Sequence, residues 1–344
     1  MTGAPADAAL LSANIGAHLD DAASRNLTPA LISVARGADA RAPVAPRSVR
    51  LCASLGELAG VVYDALSPAP DEDARMAVTE AAAALAILTK FDDQVIDGRA
   101  FHGGANTPRE SLRRTTTAYL APTLDSLRTA RPRYDEPRCA PAAFAGQRLR
   151  SVARDDARLA SYFTLVSRGW DSQVDSVETF TSHPSTVSAA KVSRVSSRTS
   201  MLWLSMISAV GALPLATPSR ARPRWLRGML RWGRWIHRAD ALADLSRDLD
   251  DALLSNAVMH ALWTLAPSAF DDAVRRRDHA ALFALVGELE VDVAMRPPPG
   301  ALDRVSRDLS GLGDLSSHLG WMHSFLLGRY ETHPLRAPRR DPSS

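Results

Sequence analysis

The chain has 344 residues, 46% hydrophobic and 23% charged, with 19 Gly and 22 Pro. Those proportions belong to a globular protein and exclude collagen-like, disordered and disulfide-scaffold classes. A formal net charge of +3, from 41 basic and 38 acidic residues, argues against a dedicated nucleic-acid binder, where a stronger basic excess is expected.

The first residues, Met1-Thr2-Gly3-Ala4, lack the basic region and apolar run of a signal peptide. Cys52 and Cys139 are isolated thiols without metal-ligand or redox spacing, so a cytoplasmic location is expected. Residues 1–20 and the tail 333–344 are rich in small and polar residues and read as flexible termini. No stretch alternates as a strand would, and helical signals punctuated by Pro recur. One all-α domain over residues 21–332 is the economical reading.

Asp71 and Glu72, after Pro68 and Pro70, open a helical segment that runs to Gly98. From Ala81 to Thr89 it carries no charge, and a helix apolar on every face is normally buried on every face. It then runs into Lys90-Phe91-Asp92-Asp93-Gln94-Val95-Ile96-Asp97. Asp93 and Asp97 are four apart and share a face, in line with Ala86 and Thr89. Their repulsion grows on burial unless a cation bridges them, and Mg²⁺ favours one or two carboxylates plus phosphate oxygens. A solvated helix end before the Gly103-Gly104 loop is the plain alternative.

Thr107-Pro108-Arg109-Glu110 has the form of a capping box, as does Ser268 with Asp271 behind Pro267. Asp171 and Asp175, beside Trp170, are a further acidic pair for which a surface role is expected. Lys191, Arg194 and Arg198 place three cations on one helix face, either a diphosphate clamp or a solvated basic face. Lys90 and Lys191 are the only lysines in a chain that otherwise uses arginine. The uncharged stretch Thr199–Ser219 is long enough for a bilayer but contains Ser200, Ser205, Ser208 and Pro214, so a buried helix is expected.

Arg224, Arg227, Arg231, Arg234 and Arg238 share a face of the next segment, with Trp225 and Trp232 away from it. Such a stripe binds phosphate or anionic lipid, or is a solvated face over packed tryptophans. Asp240, Asp244 and Asp248 follow at i, i+4 and i+8, with Asp251 one step further along the same side. Leu242, Leu245, Leu249 and Leu253 form an apolar stripe about 120° away. Periodicity leaves open which stripe faces inward. Arg296-Pro297-Pro298-Pro299-Gly300 is a hard break, and a last helical stretch reaches Tyr330.

Taken together, these residues resemble the class I terpenoid synthase superfamily. Asp92-Asp93-Gln94-Val95-Ile96-Asp97 looks like its first aspartate-rich motif, in a DDxxxD form. Asp240, Asp244 and Asp248 have the spacing of its second metal motif, and the all-Asp version is similar to the DxxxD of squalene and phytoene synthases. Arg194 lies 46 residues before Asp240, where cyclases place a diphosphate-sensing arginine. Trp321 followed by Arg329-Tyr330 resembles the Arg-Tyr pair that meets diphosphate on closure.

The resemblance implies an all-α, single-domain helical bundle around a central cavity, possessing a site for three Mg²⁺ ions and a linear isoprenyl diphosphate. On that reading Asp92, Asp93, Asp97, Asp240, Asp244 and Asp248 hold metal, and Lys191, Arg194, Arg198, Arg329 and Tyr330 meet the diphosphate. Phe91, Trp170, Trp203 and Trp321 are candidates to line the carbocation cavity. Cyclisation is expected ahead of head-to-head prenyl coupling, with neither nucleic acid nor a membrane span involved, and a homodimer is compatible with it. Two rivals are a helical Mg²⁺-dependent phosphohydrolase and a non-catalytic module acting through the Arg/Trp segment.

Overall fold

A computed structural model describes residues 46–96, 139–215, 222–308 and 315–336. Among them every regular element is helical and no strand occurs, so the all-α expectation holds. The expected capping box at Thr107 lies outside the described residues. The chain divides into two compact units.

The first unit comprises Met1–Val174, Leu202–Arg227 and Asp308–His318. Helix α1 (Pro46–Leu66) packs along α2 (Glu72–Ile96), and α3 (Cys139–Val152) packs on α2 in turn. The α2 start matches the sequence reading: Asp71 Oδ2 accepts from the Ala74 N–H at 2.9 Å, an N-terminal cap. Ala81 to Leu88 are all buried, as a segment apolar on every face requires. Small residues set the α1–α2 spacing, since a Cβ on Gly56 would lie 2.5 Å from the Thr79 carbonyl oxygen. Arg75 ties the helices electrostatically, reaching Glu57 at 2.9 Å and Asp64 at 2.7 Å.

Helix α4 (Asp156–Phe180) begins in this unit, and α5 (Ala189–Ser208) ends in it. The Tyr162 hydroxyl donates to the Met206 carbonyl at 2.8 Å and links the two. The uncharged stretch after Thr199 is the end of α5 followed by a 3-10 turn, Ala209–Ala212. No helix among the described residues is long and apolar enough to cross a membrane. Within the turn, a Cβ on Gly211 would meet the Ala59 carbonyl oxygen at 2.3 Å and the Tyr63 nitrogen at 2.8 Å. Both are backbone atoms and cannot swing aside. Gly211→Ala is therefore expected to cost about 2–3 kcal/mol through overpacking. Gly287→Ala, with nothing within 4 Å of the added carbon, should be neutral or stabilise by up to about 1 kcal/mol. Urea midpoints of the two variants check the contrast.

The second unit comprises Asp175–Met201, Gly228–Arg307 and Leu319–Ser344. It holds most of α6 (Arg222–Ala243), then α7 (Leu245–Asp250), α8 (Ala257–Leu265), α9 (Pro267–Arg276), α10 (His279–Glu288) and α11 (Val291–Ala294). Helix α12 (Ala301–Asp308) and α13 (Leu315–Glu331) follow. Leu242, Leu245, Leu249, Met259, Phe270 and Phe283 are among the residues of its core. Helix α6 approaches α5 closely at Gly233, where a Cβ would lie 2.8 Å from the Met201 nitrogen. The triple-proline break ends at Gly300, whose φ of +71° suits glycine.

One sequence expectation fails here. The N-cap of α9 is Ala266, without a side-chain cap bond, and Pro267 occupies the first turn. Proline has its φ set for a helical start, so the helix begins ahead of Ser268 and no capping box forms. Asp271 instead meets His183 Nε2 at 3.2 Å.

Candidate active site

In the first unit the end of α2 delivers Asp92 into the interior, 1% exposed. Asp92 lines a small pocket with Thr89, Gly169, Trp170, Gln173, Trp203 and Met206. The space is about what one ordered water fills. Three helices contribute at i, i+3 or i+4 spacing: Thr89 and Asp92 from α2, Gly169 and Gln173 from α4, Trp203 and Met206 from α5. Room exists because Gly169 lacks a side chain where a Cβ would come within 3.4 Å of Met206 Sδ. A buried carboxylate faces two indoles and a thioether, a combination suited to a charged group joined to an apolar one. The sequence reading had Asp92, Trp170 and Trp203; it missed Gly169, Gln173 and Met206. Gln173 and Met206 carried only the signal of standing three residues after Trp170 and Trp203, and Gly169 only that of adjoining Trp170. Phe91 is buried but does not line the pocket. The Asp93 side chain and all of Asp97 lie outside the described residues.

In the second unit, Asp240, Asp244 and Asp248 span the junction of α6 and α7. The junction keeps helical bonding: Asp244 N–H donates to the Asp240 carbonyl and Asp248 N–H to the Asp244 carbonyl, both at 2.8 Å. The three aspartates therefore stay stacked one turn apart. The question of facing resolves with both stripes engaged. Leu242, Leu245 and Leu249 are buried, while Asp240 is exposed and Asp244 and Asp248 are half-buried. Upstream on the aspartate azimuth, Met229 and Gly233 are buried too.

Cations and donors converge on this ladder. Arg329 Nη2 lies 2.7 Å from Asp244 Oδ1. Arg247 sits 3.8 Å from Asp244 and 3.3 Å from Asp251. Asn256 Nδ2 donates to Asp248 Oδ2 at 2.5 Å. Burial, followed by the charges of Asp244 and Asp240, still pushes the Asp248 carboxyl well above the usual carboxylate range, against the pull of Asn256 and Arg247.

Lys191, Arg194 and Arg198 are exposed along α5, with Arg198 3.6 Å from Asp175. Trp321 is half-buried and stacks on Phe325, ring centroids 5.4 Å apart. Tyr330 is 1% exposed, packed against Phe283 in the core with Arg336 over its ring. Of the terminal Arg-Tyr pair, then, Arg329 reaches the acidic ladder and the tyrosine ring serves the core. The arginine stripe of α6 is exposed at Arg227, Arg231 and Arg234, whereas Trp232 is buried. Asp171 is exposed, in keeping with a surface position.

The donor chemistry suits Mg²⁺. The ladder offers carboxylate oxygens alone, the choice of a hard cation. Among the described residues no three such side chains form a finished metal cage. An ion that keeps several waters and takes one or two carboxylates with phosphate oxygens does not need one.

Half-buried His237 and buried His323 are expected to make the unit acid-sensitive. Burial, then Arg238, holds His237 down to about 4, and burial, then Arg296, does the same for His323. The unfolded chain takes up these protons near pH 6.5, so their stabilisation is present above 6.5 and lost as pH falls toward 4. Each accounts for about 3 kcal/mol. Asp248 works in the opposite sense, protonating more readily in the folded state. Thermal melts from pH 7.5 to 4.5 should show falling stability, and His323→Gln should flatten the profile.

No family model and no curated protein matches the chain. Among solved structures it is similar to the crystal structure of geranylgeranyl pyrophosphate synthetase from Pyrococcus horikoshii Ot3, with a TM-score of 0.48 and 9% sequence identity. The match covers 95% of this chain and 100% of that one. A likeness at that level assigns neither substrate nor residue roles.

Proposed function

We propose that the protein is a Mg²⁺-dependent class I terpene synthase that ionises a linear isoprenyl diphosphate and cyclises the resulting cation. The observation that carries this reading is the Asp240–Asp244–Asp248 ladder, stacked one helical turn apart and joined by Arg329 at 2.7 Å. Held by these aspartates, with Asp92, Asp93 and Asp97 as the second set, Mg²⁺ would supply neutralisation of the leaving group's charge.

The chain's own residues do the rest. Arg329, freed from Asp244, offers two parallel N–H donors to a diphosphate oxygen pair. Lys191, Arg194 and Arg198 add positive charge from α5. The C–O bond breaks with its electron pair leaving on diphosphate, and preorganised cations meet the charge as it develops. An allylic cation remains, which water would quench. Trp170 and Trp203, which line the small pocket beside Asp92, Thr89 and Gln173, are the proposed cation–π partners. The pocket's present size is near that of a water, so the reading requires the pocket to widen before a prenyl chain can enter.

Incubation of the full chain with farnesyl, geranylgeranyl and longer diphosphates plus Mg²⁺, with extraction and mass spectrometry, tests the reading. A cyclic hydrocarbon or alcohol from one of them is expected. A head-to-head product would reassign the chain to prenyl coupling, and no product across the panel would overturn the catalytic reading.

A further inference from the structure

We propose that Asn256 is a positioning residue for Asp248, orienting its carboxylate for a divalent cation; the inference rests on reading Asp248 as a metal ligand. Asn256 is 3% exposed and begins α8. Its Oδ1 accepts from both the Val258 and Met259 N–H groups at 2.9 Å, the role of an N-cap. Those two bonds fix which end of the amide is oxygen. The nitrogen end must then donate elsewhere, and its partner is Asp248 Oδ2 at 2.5 Å.

Capping alone does not explain the residue type. Ser or Asp would cap α8 about as well, but neither places a second, donating group on Asp248. The connection between the two residues is closed on itself. Leu253 N–H donates to the Asp248 carbonyl at 2.7 Å, and Ser255 is pinned through its N–H to the Phe180 carbonyl at 2.9 Å. The Ser255 hydroxyl donates to the Ser182 carbonyl at 2.6 Å. Ala252, within this connection, takes a φ of +57°, a conformation that L side chains rarely adopt. A neutral amide donor on a carboxylate ligand is the second layer that metal sites use to fix a ligand's orientation.

The test compares wild type, Asn256→Ser, Asn256→Asp and Asp248→Asn as full chains. Binding of inorganic diphosphate in Mg²⁺ is measured by calorimetry, and melting is measured in EDTA. Asn256→Ser keeps a cap acceptor, so its melting temperature in EDTA should stay close to wild type. Its Mg²⁺-dependent diphosphate binding should weaken about 10–100-fold. Wild-type binding by Asn256→Ser, with Asp248→Asn weakened, would overturn the inference and leave Asn256 a cap only. If Asn256→Ser melts early, Asn256→Asp, which keeps the isosteric acceptor and loses the donor, decides by the same two outcomes. If wild type and Asp248→Asn bind alike, or wild type fails to bind, the reading of Asp248 as a ligand falls and this inference falls with it.

Discussion

Asp248→Asn is expected to lower turnover about 10³-fold while leaving the protein at least as stable as wild type at pH 7.5. The activity loss follows from removing one anionic ligand of the proposed cation site, and 10³ corresponds to about 4 kcal/mol of transition-state stabilisation. The stability result has a separate origin. Burial and the neighbouring Asp244 and Asp240 charges disfavour the ionised carboxylate in the folded chain. An acid whose folded pKa is raised contributes stability that is fully present below the unfolded value near 3.9 and lost as pH rises through the folded one. At neutral pH a neutral amide escapes that loss, and it can still accept from Asn256. Any stability gain should shrink as pH falls toward 4. Turnover and melting temperature measured on the same preparation check both halves. Asp171→Asn, at an exposed position on α4, should leave turnover within about twofold.

Trp232→Ala is expected to cost about 3–5 kcal/mol, the range for deleting a large aromatic from a core. Trp232 is 1% exposed, packs edge-on to His323 with centroids 6.0 Å apart, and overlies Gly320. Its indole Nε1 has no hydrogen-bond partner among the described residues. Trp232→Phe should therefore cost much less than the alanine variant, because it keeps most of the ring while removing a buried donor that goes unused. Urea midpoints at constant slope measure the pair. Equal losses from both variants would mean that the six-membered ring contributes little to the packing.

Local features of the fold could be read from the chain because local chemistry determines them. The α2 start follows Asp71 behind two prolines, burial from Ala81 to Leu88 follows from the absence of charge, and the break before α12 follows from three prolines and Gly300. The α9 cap was misread because Pro267 competes with Ser268 for the first turn. The facing of the Asp240 helix was undecidable from periodicity, since Met229 and Gly233 argue for one side and the leucines for the other. Tertiary contacts decide it: Asn256 folds back on Asp248 from eight residues on, and Arg329 reaches Asp244 from 85 residues away. The Asp92 pocket shows the same division. Each of its helices carries a readable i, i+3 or i+4 pair, but their association across more than 100 residues is a property of packing.

The most direct test of the proposed chemistry is ³¹P NMR of the phosphorus product formed from an isoprenyl diphosphate in Mg²⁺ and in EDTA. Ionisation at carbon predicts intact inorganic diphosphate, released with Mg²⁺ and not with EDTA. Orthophosphate or a prenyl monophosphate in its place would mean P–O cleavage, contradicting the proposed ionisation and identifying a phosphohydrolase.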